Sequence, residues 1–108
     1  MIFIAVKFTV RPERSDTWLD LVADFTAATR AEPGNLFFEW SRSVDDPHCF
    51  VLLEAFADGA AGARHVESAH FGAAMEAMAG AIATVPEIVN VEAPGTGWSA
   101  MAELRPAP

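Results

Sequence analysis

His65 and His70 stand five residues apart in the stretch Ala63-Arg64-His65-Val66-Glu67-Ser68-Ala69-His70-Phe71, and His48 is the third histidine of the chain. Imidazole exchanges a proton near neutral pH, so a histidine in a partly desolvated cavity suits general-base chemistry. The other reading of His65, beside Arg64 and two residues before Glu67, is a boundary residue on a helix surface. His70 falls in the first turn of a helical segment, where the positive end of the helix disfavours an imidazolium and the ring can simply cover the helix start. His48 lies in a loop and is expected in solvent. No metal centre is expected, because five residues correspond to about 140° on an ideal helix and no third ligand stands beside the pair. Glu39 and Glu54 interrupt apolar segments; each is either a hydrogen-bonded rim residue or a proton-transfer group with a raised pKa.

Other chemistry lacks its residues. Cys49 is the single cysteine, which leaves neither a disulfide framework nor a thiolate metal pair. No Gly-rich phosphate loop follows a strand pattern, and there is no Gly-x-Ser-x-Gly nucleophile turn. The formal charge of −8, with only seven basic residues scattered along the chain, fits neither a nucleic acid backbone nor an anionic membrane surface. No apolar run approaches the length of a membrane span, and the first residues carry no basic leader, so a cytoplasmic protein is expected.

The elements that would position these side chains follow from periodicity. Residues 2–10, Ile-Phe-Ile-Ala-Val-Lys-Phe-Thr-Val, are β-branched and aromatic and stop at Arg11-Pro12, which predicts a strand at least partly covered on both faces. From Pro12 to Ala31, Trp18, Leu21, Val22, Phe25, Ala28 and Thr29 recur at helical spacing opposite Asp16, Asp20 and Asp24. This predicts one amphipathic helix, ended by Glu32-Pro33-Gly34. Residues 36–43 and 49–57 predict a hairpin joined by Val44-Asp45-Asp46-Pro47-His48. Asp58 and Ser68 are placed to cap two helical pieces, the second carrying Phe71, Met75, Met78 and Ile82. Residues 87–92 read as a last strand.

With 108 residues, 52% of them apolar, the chain is sized for one domain. The order β-α-β-β-α-β predicts an α+β, ferredoxin-like fold with a four-stranded antiparallel sheet and its helices on one face. Residues 1–94 form that domain; residues 95–108, with Trp98, Met101 and Leu104, form a C-terminal extension suited to docking on a partner subunit. The uncovered sheet face predicts a homodimer. Phe38, Trp40, Phe56, Phe71 and Met75 are core residues or, where a cavity separates helices from sheet, its apolar walls around a flat aromatic ligand.

The segments Glu32-Pro33-Gly34-Asn35-Leu36, Asp45-Asp46-Pro47, residues 50–58 and His65-Val66-Glu67-Ser68-Ala69-His70-Phe71 together resemble the antibiotic biosynthesis monooxygenase family, of the dimeric α/β barrel superfamily. The resemblance spans about residues 2–92. It implies a homodimer with a pocket between helices and sheet in each subunit. In several members it also implies oxygenase chemistry without flavin, heme or metal, in which the anion of a small aromatic quinol, phenol or anthrone reacts with dioxygen. By that match His65 is the catalytic position, and no cofactor is implied; Phe38, Trp40, Phe56, His70, Phe71 and Met75 are the candidate substrate-binding residues beside it. The chain departs from some relatives in having no tyrosine and in having Phe56 where many carry Trp. Relatives that degrade heme have a histidine where this chain has Met75 and a Trp where it has His65, so the resemblance does not extend to them. The alternative from a different class is a non-catalytic dimeric module that binds a small apolar metabolite.

Overall fold

The computed structural model describes residues 1–108. Its elements in chain order are β1 (Ile2–Thr9), α1 (Trp18–Leu21), α2 (Ala23–Arg30), β2 (Asn35–Arg42), β3 (Cys49–Phe56), α3 (Gly59–Val66), α4 (Ala69–Ala79) and β4 (Glu87–Glu92). The four strands pair antiparallel in the order β2-β3-β1-β4, which is the ferredoxin-like arrangement read from the sequence. The sheet is open, with β2 and β4 as its edges.

Strand register decides which side chains meet the helices. Ile4 pairs with Glu54, Val6 with Leu52 and Phe8 with Phe50, while Phe38 and Trp40 of β2 lie opposite Glu54 and Leu52. Because side chains alternate, this face collects Ile4, Val6, Phe8, Phe38, Trp40, Phe50, Leu52, Glu54 and Phe56. The other face carries Phe3, Ala5, Phe37, Glu39, Leu53, Val89 and Val91. Trp18 anchors the core at one end of the covered face: it is fully buried, with Trp40 edge-on at 5.9 Å and Phe8 at 5.4 Å.

The single helix expected from Pro12 to Ala31 is instead three pieces. Pro12–Thr17 forms a 3₁₀ segment, α1 is one turn long, and Val22 departs from helical geometry at φ −96° and ψ 6°. Thr26 contributes to the break, since its hydroxyl donates back to the Val22 carbonyl at 2.8 Å, a bond that bends helices. The apolar row survives the break: Trp18, Val22, Phe25 and Thr29 are all buried.

Both later caps form as expected. Asp58 accepts from the Ala61 amide at 2.8 Å and opens α3, and Ser68 accepts from the Phe71 amide at 3.2 Å and opens α4. His48 differs from expectation: it is half-buried, with Nδ1 2.7 Å from the Ser15 hydroxyl, so it ties the hairpin loop to the 3₁₀ segment. The extension runs back over the outer sheet face of its own chain, where the Trp98 ring lies 5.2 Å from that of Phe37. No helix is long and apolar enough to cross a membrane.

Candidate active site

The break between α3 and α4 turns the two histidines toward one point. His65, in the last turn of α3, is 3% exposed, and its Nδ1 lies 2.8 Å from Glu32 Oε2. His70, in the first turn of α4, sets its Nε2 2.7 Å from the same oxygen. A carboxylate only accepts, so His65 carries its proton on Nδ1 and leaves the Nε2 lone pair free. Glu32 reaches both rings because Gly34 lets the loop pack directly on α3. A Cβ at Gly34 would overlap the Ala61 side chain, and the Gly34 carbonyl accepts from the Ala57 amide at 2.9 Å.

Glu32 is the residue sequence reasoning missed. Its place before Pro33-Gly34 marked it as a helix stop, and no local pattern joins positions 33 and 38 residues apart. It also removes the basis for excluding a metal, since the ideal-helix angle does not apply across two helices and a third potential ligand is present. Glu32, His65 and His70 offer one carboxylate oxygen and two ring nitrogens within 4.8 Å of one another, a set able to hold a divalent cation.

His65 forms part of the wall of an apolar cavity of about 280 Å³ between the sheet and α2, α3 and α4. The walls are Ile4, Val6 and Phe8 of β1, Leu52 and Glu54 of β3, Ile88 of β4, Phe25 of α2, Val66 of α3, Phe71, Met75 and Met78 of α4, and Pro86. Glu54 is 5% exposed, makes no hydrogen bond within the chain, and has Oε1 3.7 Å from His65 Nε2. Burial, and secondarily the negative charge of Glu32, push its carboxyl from 4.5 up to about 7. Glu39 lies on the opposite face and is exposed, and Arg64 is exposed beside Gly34.

Of the residues singled out from sequence, Glu54, His65, Phe71 and Met75 line this cavity. Phe38 and Phe56 are buried around the His65 ring, at 6.4 and 4.8 Å between centroids, rather than at the cavity surface. Trp40 belongs to the aromatic core around Trp18 and donates its indole N–H to the Thr26 hydroxyl at 2.9 Å. His70 faces Glu32 and a separate groove between α2 and α4. The rings of Phe25, 5.6 Å away and nearly parallel, and Phe71, 5.3 Å away and edge-on, hold His65 from two sides.

A ferredoxin-like sheet with one buried, carboxylate-anchored histidine in an apolar cavity defines the class of protein. Residues 1–77 match the family model described as antibiotic biosynthesis monooxygenase. The chain is 34% identical over 71 residues to "Putative monooxygenase YcnE" of Bacillus subtilis, covering 66% of this chain and 75% of that protein. Among solved structures it is similar to "Putative antibiotic biosynthesis monooxygenase from Nitrosomonas europaea", with a TM-score of 0.80 and 27% identity over 86% of this chain and 98% of that one. A Caulobacter crescentus structure of the same description has a TM-score of 0.82 and 26% identity, covering 87% and 90%. The chain belongs to the antibiotic biosynthesis monooxygenase family.

Proposed function

We propose that the protein is a cofactor-independent monooxygenase that oxidises a small aromatic quinol, phenol or anthrone with dioxygen. The observation that carries this reading is the placement of His65 in the wall of an apolar cavity, with Nδ1 committed to Glu32 and Nε2 left as a base. His65 Nε2 takes the acidic proton of the substrate, and the resulting electron-rich anion reduces dioxygen and forms the carbon–oxygen bond. For an anthrone the methylene carbon loses two hydrogens, one oxygen atom becomes the new carbonyl, and the other leaves as water. The apolar walls orient the ring.

The working unit in this reading is a homodimer. The outer sheet face supports it, since Val89 and Val91 are 57% and 44% exposed, and so does the extension, where Trp98, Met101 and Leu104 bury little against their own chain. Sedimentation that reported a monomer at micromolar concentration would contradict this part.

Oxygen uptake by flavin-free, chelator-treated protein against a panel of hydroquinones, naphthols and anthrones tests the activity. Uptake above autoxidation that disappears in His65→Ala supports it. Saturable binding without uptake in either form would favour the non-catalytic metabolite-binding module, which the largely apolar lining also suits.

A further inference from the structure

His65 and Glu54 are the only titratable groups in the cavity wall, and they stand side by side against an otherwise apolar lining. Glu54 is buried with no hydrogen-bond partner in the chain, and its carboxyl is aimed into the cavity. Facing the cavity, this carboxyl is open to a hydrogen bond from water or from an occupant. The 3.7 Å between Glu54 Oε1 and His65 Nε2 is too long for a hydrogen bond between them. A single oxygen can lie about 2.8 Å from both.

We propose that this end of the cavity is a hydroxyl-recognition subsite: the ligand's hydroxyl donates to His65 Nε2 and accepts a hydrogen bond from the protonated carboxyl of Glu54. The occupant is therefore an apolar body bearing a hydroxyl. Donor and acceptor roles follow from charge. The Nδ1–H of His65 is given to Glu32, so Nε2 can only accept. Glu32, from the loop after α2, already places a negative charge behind the ring, which disfavours a second anion at Glu54. Elsewhere Glu54 is faced by uncharged residues: Ile4 of β1 and Phe38 of β2 lie opposite it, and α4 contributes Phe71 and Met75 to the same cavity. When the hydroxyl proton passes to Nε2, the Glu54 proton stays in place and hydrogen-bonds to the oxyanion, as neutral carboxylic acids do in other apolar sites. The proposal deepens the reading of the cavity as the substrate site and does not depend on turnover.

The test is the affinity of 1-naphthol against that of naphthalene, followed by tryptophan fluorescence or calorimetry at pH 7, for wild type, Glu54→Gln and Glu54→Leu. Wild type should favour the hydroxyl compound by about tenfold. Glu54→Leu, an apolar replacement in an apolar wall, should lose most of that preference and keep only the part due to His65 Nε2, and Glu54→Gln, whose amide can donate, should keep most of it. Equal affinities in wild type, undetectable naphthol binding, an undiminished preference in Glu54→Leu, or a loss in Glu54→Gln as large as in Glu54→Leu would each overturn the proposal. An absence of oxygen uptake with this pattern intact would overturn the oxygenase reading and leave the subsite standing.

Discussion

Glu32 Oε2 lies 2.8 Å from His65 Nδ1, and this one contact joins the loop after the first helical layer to the last turn of α3. It sets the tautomer and the orientation of the ring together, since rotation of the imidazole would break the bond. His65→Ala is expected to reduce turnover on the order of 10²–10⁴-fold, the usual contribution of a positioned general base. Glu32→Gln keeps the size of the anchor but can donate to the ring as well as accept, so it is expected to lower kcat while leaving KM within a few-fold. Steady-state kinetics of the two variants check this, and a Glu32→Gln enzyme with unchanged kcat would contradict the anchoring role.

Glu54 makes stability depend on pH in a defined direction. In the folded chain it holds its proton up to about 7, whereas the ordinary carboxyl value is 4.5. Its contribution is therefore fully present below pH 4.5 and is lost as pH rises through about 7. At about 1.4 kcal/mol per pH unit, the loss amounts to about 3 kcal/mol. Glu54→Gln should remove this slope and be more stable than wild type at pH 8. Urea denaturation at pH 5 and pH 8 reads the difference, and parallel wild-type and Gln curves would refute it.

Gly34→Ala should both destabilise the fold and disturb the site. The added methyl overlaps Ala61, which is 2% exposed one turn before His65, so α3 must shift. Overpacking of this kind costs about 1–3 kcal/mol. A displaced α3 also draws His65 away from Glu32, and activity should fall by more than the loss of folded protein explains. A fully stable Gly34→Ala variant would show that the loop yields instead.

Thr29 is fully buried, and its hydroxyl has no hydrogen-bond partner. Valine has nearly the same shape without the stranded oxygen. Thr29→Val should raise stability by about 1 kcal/mol, read as an increase in Tm, with no effect on turnover because Thr29 is outside the cavity wall. A lower Tm would show that the hydroxyl is satisfied in solution.

Periodicity and capping made the fold legible: the strands, the Asp58 and Ser68 caps and the buried row from Trp18 to Thr29 follow from spacing alone. The break at Val22 did not, because the Trp18, Val22, Phe25 and Thr29 spacing is the same for a bent helix as for a straight one. His65 was legible through its motif, but its partners were not. Glu32 and Glu54 reach it through loop packing and strand register, which are long-range properties that no window of sequence contains. Phe38 and Trp40 point inward, yet inward-facing residues of β2 meet the aromatic core, and Phe56 at the end of β3 packs on the His65 ring, whereas the cavity opens toward β1 and β4. That distinction depends on where the helices lie across the sheet.

The most direct measurement is made without oxygen. An anthrone is mixed anaerobically with wild type and with His65→Ala below the substrate's own pKa, and the absorbance of its anion is followed before oxygen is admitted. An anion band is expected in wild type alone, stable under argon and consumed on admission of oxygen with one dioxygen taken up per molecule oxidised. Absence of the band, or an equal band in His65→Ala, would contradict deprotonation by His65 as the event that opens the reaction.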